Sequence, residues 1–145
     1  MAEAPLTVVI DPNVLVSAFV SELGVPYALI SAWVARRFEL VVSPELLAEL
    51  REVLSRDKFR RYGSDAEVEV LLRRFATARL VADPPAQRIV AADPDDDYLM
   101  ALARCAKADY VVSGDRHLTQ LEDAVPPVLS PRAFYELLAE QLNWP

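Results

Sequence analysis

The chain has 145 residues, the size of one compact domain that buries about two thirds of its unfolded surface. Its 53% hydrophobic content excludes the polar composition of chains that never build a core. A net charge of -7 excludes a uniformly basic nucleic-acid grip, yet it leaves a nuclease open, because a cation bound among clustered carboxylates reverses the local field and admits a phosphate.

From the N-terminus, Met1 to Pro5 lacks the basic and apolar regions of a signal peptide, and no apolar run approaches the roughly 18 residues that span a bilayer. The expectation is a soluble, cytoplasmic protein. Leu6 to Ile10 is a near-continuous, β-branched apolar run, the pattern of a strand covered on both faces. Asp11 ends it; Pro12 keeps Asp11 extended and then opens a short helix over about Asn13 to Phe19. A second helix from about Pro26 carries Leu29, Ile30, Trp33 and Val34 on one face. Glu39 to Val42 is the second strand, and Ser43-Pro44-Glu45 starts a helix that runs to about Leu54, with a capping hydroxyl, a first-turn proline and an acid.

From Ser55 to Tyr62, basic and aromatic residues interleave. Ser64 and Glu67 form a capping box before Val68, Leu71, Leu72 and Phe75 at helical spacing. Arg79 to Ala82 reads as a short third strand, and Asp83-Pro84-Pro85 breaks the chain. Ile89 to Ala91 is briefly apolar, and Asp93-Pro94-Asp95-Asp96-Asp97 leads into a helix that ends near Lys107. Cys105, the only cysteine, falls in that helix; it excludes an internal disulfide or a thiolate metal site, and its apolar neighbours make it a small core residue. Tyr110 to Val112 is the next strand, Ser113-Gly114-Asp115 a turn, and Val128-Leu129 a last strand before a Ser130-Pro131 helix start and Phe134, Leu137, Leu138 and Gln141. His117 is the only histidine, so any metal is held mainly by oxygen, which suits Mg²⁺ or Mn²⁺.

Strands alternating with helices predict one domain over residues 1–145, a three-layer α/β/α fold around a mostly parallel sheet of about five strands. The glycines form no phosphate-cradling loop. Ligands of such sheets bind beyond the carboxyl ends of the strands, where Asp11 and Asp115 both fall. Either one alone reads equally as a turn or a helix cap. At about 100° per residue, Glu49 lies roughly 40° beyond Val53 and is the acid of its helix nearest the core; the plainer reading is a rim glutamate paired with an arginine. Back-projection from Leu99, Leu102, Ala103 and Ala106 puts Asp96 beside the buried arc, although Asp95 to Asp97 also serve as caps to a helix dipole. Several carboxylates around one pocket repel one another unless a cation is bound, so the set points to one or two Mg²⁺ or Mn²⁺ ions.

The segments Val9-Ile10-Asp11-Pro12-Asn13-Val14-Leu15-Val16-Ser17-Ala18, Ser43 to Leu54 with Glu49, Asp93-Pro94-Asp95-Asp96, and Ala108-Asp109-Tyr110-Val111-Val112-Ser113-Gly114-Asp115 resemble those of the PIN-domain ribonucleases. That family includes the toxins of many prokaryotic toxin-antitoxin pairs. The likeness spans about Leu6 to Leu142 and rests on the order and spacing of the segments together. It implies Asp11, Glu49, Asp96 and Asp115 as the acidic metal-binding set, with Asn13 and Ser113 as polar helpers. Pro12 stands where the family commonly has a threonine, which removes a hydroxyl able to orient Asp11.

The activity this implies is Mg²⁺- or Mn²⁺-dependent hydrolysis of RNA, with an antitoxin protein as a possible partner. Arg56, Lys58, Arg60 and Arg61, with Phe59 and Tyr62, are candidate contacts to a single strand through charge and stacking; a solvated linker is the alternative. Two rival readings stand beside the ribonuclease. One is a catalytically silent module that binds RNA or protein. The other is a haloacid-dehalogenase-like phosphatase, disfavoured because its Asp-x-Asp is Asp11-Pro12-Asn13 here. Apolar Trp144 is a faint sign of homo-oligomers.

Overall fold

Short β-branched runs become strands here because both of their faces are covered. The structure is a computed structural model that describes residues 5–84 and 97–142. Its strands are β1 (Thr7–Ile10), β2 (Glu39–Val42), β3 (Arg79–Leu80), β4 (Tyr110–Val112) and β5 (Val128–Leu129). Among the described residues they form one five-stranded sheet in the order β3-β2-β1-β4-β5, with every neighbouring pair parallel. The sheet is therefore parallel throughout rather than mostly so. Val9 of central β1 pairs with Val41 on one side and Val111 on the other, and all three are fully buried.

Parallel neighbours need crossover connections, which the helices supply. These are α1 (Pro12–Val20), α2 (Val25–Val34), α3 (Pro44–Leu54), α4 (Asp65–Phe75), α5 (Asp97–Cys105), α6 (Arg116–Thr119) and α7 (Pro131–Leu142), with a 3-10 turn at Asp57–Tyr62. They flank the sheet in the three-layer arrangement. Helix α1 packs on α2 and α3, α3 on α4, α2 on α7, and α5 against β1 and β4. Leu46 and Leu50, one turn apart on α3, are fully buried, a contribution of about 1.5–3 kcal/mol each. Ser43 caps α3 by accepting from the Leu46 amide at 3.1 Å, and the Ser64–Glu67 capping box of α4 is formed in both directions.

Three sequence expectations are corrected. The third strand stops at Leu80, where both of its residues are exposed, although the Val81 amide still donates to the Val42 carbonyl. Cys105 is exposed rather than in the core, because it lies roughly 60° beyond Leu102 and off the arc that buries Leu99, Leu102, Ala103 and Ala106. Helix α6 and the 3-10 turn were not expected; each is too short to show an apolar period. The expected apolar stretch Ile89 to Ala91, the acids Asp93, Asp95 and Asp96, and Trp144 lie outside the described residues. Among the described residues, no single helix is long and apolar enough to cross a membrane.

Candidate active site

In the order β3-β2-β1-β4-β5 the chain builds outward from β1 in one direction and then, from β4, in the other. A crevice opens at such a switch point, outside the carboxyl ends of the strands. Asp11 leaves β1 there, and Ser113 leaves β4 beside it. The Asp11 amide donates to the Val112 carbonyl at 2.9 Å, so the ladder between the two strands extends as far as the acid itself.

The carboxylate of Asp11 is buried and held on both oxygens. Its Oδ1 accepts from the Asn13 amide at 3.0 Å, as the cap of α1, and its Oδ2 accepts from the Ser113 hydroxyl at 2.8 Å. Ser113 is fully buried, and its Oγ also accepts from the Asp115 amide at 3.0 Å. Asp115 in turn caps α6, its Oδ1 accepting from the His117 amide at 2.8 Å. Asp11, Asn13, Val14, Ser17, Pro26, Gly114, Asp115 and Pro131 line an open cleft of about 440 Å³. The exposed Asn13 and the acids at the ends of β1 and β4 thus share one wall.

Glu49 projects from the middle of α3. It is partly buried, whereas Glu45 and Glu52 of that helix are exposed. Its Oε2 accepts a hydrogen bond from the hydroxyl of Tyr98 on α5. Tyr98 is itself a gauge of the local field. Burial, first, then the hydrogen bond to Glu49 and the negative charges of Glu49, Asp11 and Glu45 push its phenol above the ordinary tyrosine range. Glu49 and Glu45 of α3 and Asp11 at the end of β1 all contribute to that shift.

A further carboxylate stands beside it. Asp83 Oδ2 accepts from the Glu45 amide at 2.8 Å in the first turn of α3, while Asp83 Oδ1 is buried with no hydrogen-bond partner among the described residues. Burial and then the Asp83 charge raise the Glu45 carboxyl above its usual range.

The chemistry of the donors matches a hard divalent cation: Asp11, Glu49 and Asp115 offer only carboxylate oxygens. Among the described residues, no three His, Cys, Asp or Glu side chains are close enough to hold one ion. The fourth acid of the expected set, Asp96, lies outside the described residues. Asp11 and Asp115 therefore share one cleft and Glu49 meets Tyr98, and the three described acids do not close into a ligand cage of their own.

The basic stretch forms the 3-10 turn on the surface. Arg56 pairs with Glu52 at 2.9 Å and Arg60 with Asp57 at 3.1 Å, both on the surface. Lys58 lies over the Phe59 ring at 5.1 Å and Arg61 over the Tyr62 ring at 4.8 Å. Phe59 packs against the core and is not offered for stacking on a base. Gly63, just beyond, is backed by the Phe19 ring near the end of α1, far along that helix from Asp11; a Cβ there would come within 2.7 Å of it.

Sequence reasoning missed Tyr98 and Asp83. A signal for the first was present. Tyr98 lies one turn before Leu102, about 40° off the buried arc of α5, where a tyrosine hides its ring and needs a partner for its hydroxyl. Asp83 carried no such signal, because an acid before two prolines reads only as a chain break.

Comparison with known proteins agrees with this fold. Residues 7–117 match the family model described as PIN domain. The uncharacterized protein MJ1680 of Methanocaldococcus jannaschii is 27% identical over 124 residues, 85% of this chain and 79% of that one. The crystal structure of PAE2754 from Pyrobaculum aerophilum superposes with a TM-score of 0.65 at 19% identity, covering 94% of this chain and 91% of the other, a likeness of fold.

Proposed function

The chain belongs to the PIN domain family, and from that premise we propose that it is a Mg²⁺- or Mn²⁺-dependent endoribonuclease. The fold is of nuclease type, and nucleases built on it generally use divalent metals. The observation that carries the reading is the buried Asp11 carboxylate at the switch-point crevice, fixed by Ser113, with Asp115 lining the same cleft.

In this reading Asp11, Glu49 and Asp96 hold the cation, and Asp115 either joins them or holds its water. When bound, the ion lowers the pKa of that water and stabilises charge on the scissile phosphate and the leaving oxygen. The protein supplies the positions. Asp11 is locked by two donors, so its carboxylate needs no reordering when a phosphate arrives, and Ser113 ties it to the segment that carries Asp115. Asn13 lines the open cleft, where a single strand passes. Lys58 and Arg61 draw RNA in by charge.

The test is cleavage of a labelled single-stranded RNA with Mn²⁺ and with EDTA, by wild type and by Asp11→Asn. Cleavage should require the metal and fall at least a hundredfold in the variant, roughly 3 kcal/mol of transition-state stabilisation. Robust metal-dependent cleavage by Asp11→Asn would refute the assignment.

The open three-acid arrangement gives a second reading its one support: a silent PIN-like module that binds RNA or protein without turnover. Calorimetric titration with Mn²⁺ separates the two, since a silent module takes up no metal. The resemblance to toxins extends the main proposal to a toxin-antitoxin pair, in which a small inhibitor protein covers the acidic end and sets an arginine among the carboxylates. A short antitoxin-like reading frame beside this one, whose product abolishes cleavage on co-expression, is the expected finding.

A further inference from the structure

Glu49 differs from Asp11 in what holds it. Asp11 sits at the end of a strand and is gripped by a backbone amide and a buried hydroxyl. Glu49 projects from the middle of α3 on a longer side chain, which loses much more rotamer freedom when it is fixed. A carboxylate that must meet a cation in one orientation needs a donor to hold it there. Tyr98 is such a donor: its ring packs against the core, so its hydroxyl is delivered from a rigid base, and that hydroxyl donates to Glu49 Oε2.

The identity of the donor matters as much as its position. A lysine or arginine at the same place would bind the carboxylate at least as strongly, yet its positive charge would repel the divalent ion that the carboxylate is there to hold. A phenol makes a charge-assisted hydrogen bond to a carboxylate while remaining neutral. Resting on the metal-dependent reading above, we infer that Tyr98 is a positioning residue, whose hydroxyl presets Glu49 for a divalent cation without competing with it. It acts through Glu49.

The test is Tyr98→Phe in the full chain, which removes the hydroxyl and keeps the ring. Titration with MnCl₂ alone, followed by calorimetry, should show affinity at least tenfold weaker than wild type, in the range that such supporting hydrogen bonds command. The Mn²⁺ activation curve for RNA cleavage should move to higher metal by the same factor, with kcat restored by excess Mn²⁺ and the KM for RNA unchanged within about twofold. If the variant loses its fold by circular dichroism, Tyr98→Leu, also apolar and without a hydroxyl, carries the same prediction. Mn²⁺ affinity within twofold of wild type, or a loss of kcat that excess Mn²⁺ does not restore, overturns the inference and leaves the proposed function standing. A wild-type chain that binds no Mn²⁺ and cleaves no RNA overturns the proposed function, and this inference with it.

Discussion

The Ser113 hydroxyl donates to Asp11 Oδ2 at 2.8 Å across 102 positions of sequence, with both groups buried. The same oxygen accepts from the Asp115 amide, so one hydroxyl sets the place of two acids. Ser113→Ala removes both contacts, one to a buried carboxylate and one to a backbone amide. The expected loss is about 1–3 kcal/mol of stability in urea unfolding, together with weaker Mn²⁺ uptake. Ser113→Thr keeps the hydroxyl and should recover most of the metal affinity. An alanine variant as stable as wild type would mean that other donors satisfy Asp11 fully.

Stability and chemistry should separate at Phe134. Its ring is fully buried on α7, edge-on to Phe38 at 5.2 Å and tilted to Tyr110 at 6.3 Å, and it belongs to the layer that closes over β4 and β5. Phe134→Ala should cost about 3–5 kcal/mol, through lost transfer free energy and the cavity left behind. The midpoint of Mn²⁺ activation, measured well below the melting temperature, should not move, because Asp11, Glu49 and Asp115 are bonded to residues of other elements.

The division between what the sequence discloses and what it conceals follows the range of the interactions. Val8, Val9 and Ile10 announce a buried strand because three consecutive apolar residues suit only a strand covered on both faces. Ser43-Pro44-Glu45 announces a helix start because capping is decided within four residues. Asp11 and Asp115 were legible as acids beyond strand ends, and Glu49 as the inward acid of its helix. Their partners were not legible. The contacts between Tyr98 and Glu49 and between Ser113 and Asp11 join elements 49 and 102 positions apart, which no local pattern specifies. Cys105 shows the converse error: apolar neighbours in sequence do not place a residue on the apolar arc of its helix.

The Glu45 carboxyl gives a pH signature. Burial first, and the Asp83 charge second, raise it above its unfolded value in the folded chain. An acid so shifted supports the fold below its unfolded pKa, about 4.3, and loses that contribution as pH rises through the folded value. Glu45→Gln does not titrate. The melting temperature of the variant minus that of wild type should therefore increase between pH 4 and pH 7, by about 1–2 °C for so solvent-screened a group, and stay flat below pH 4. A difference that shrinks over that interval would show that the charge on Glu45 helps α3 more than its surroundings oppose it.

RNA binding should distinguish the cations of the 3-10 turn by what they already touch. Arg56 and Arg60 are committed to Glu52 and Asp57, so a phosphate gains little net charge from either. Lys58 and Arg61 rest on aromatic rings, contacts that leave the positive charge in place. For a single strand, each phosphate neutralised contributes about 0.7 to the slope of log affinity against log salt. The double variant Lys58→Ala and Arg61→Ala should therefore lower that slope by about 1.4 in fluorescence anisotropy, raise the KM for RNA, and leave kcat at saturating RNA unchanged. The double variant Arg56→Ala and Arg60→Ala should lower it by much less. Equal slopes for the two double variants would show that the surface ion pairs open when RNA arrives, and that the whole turn acts as one basic patch.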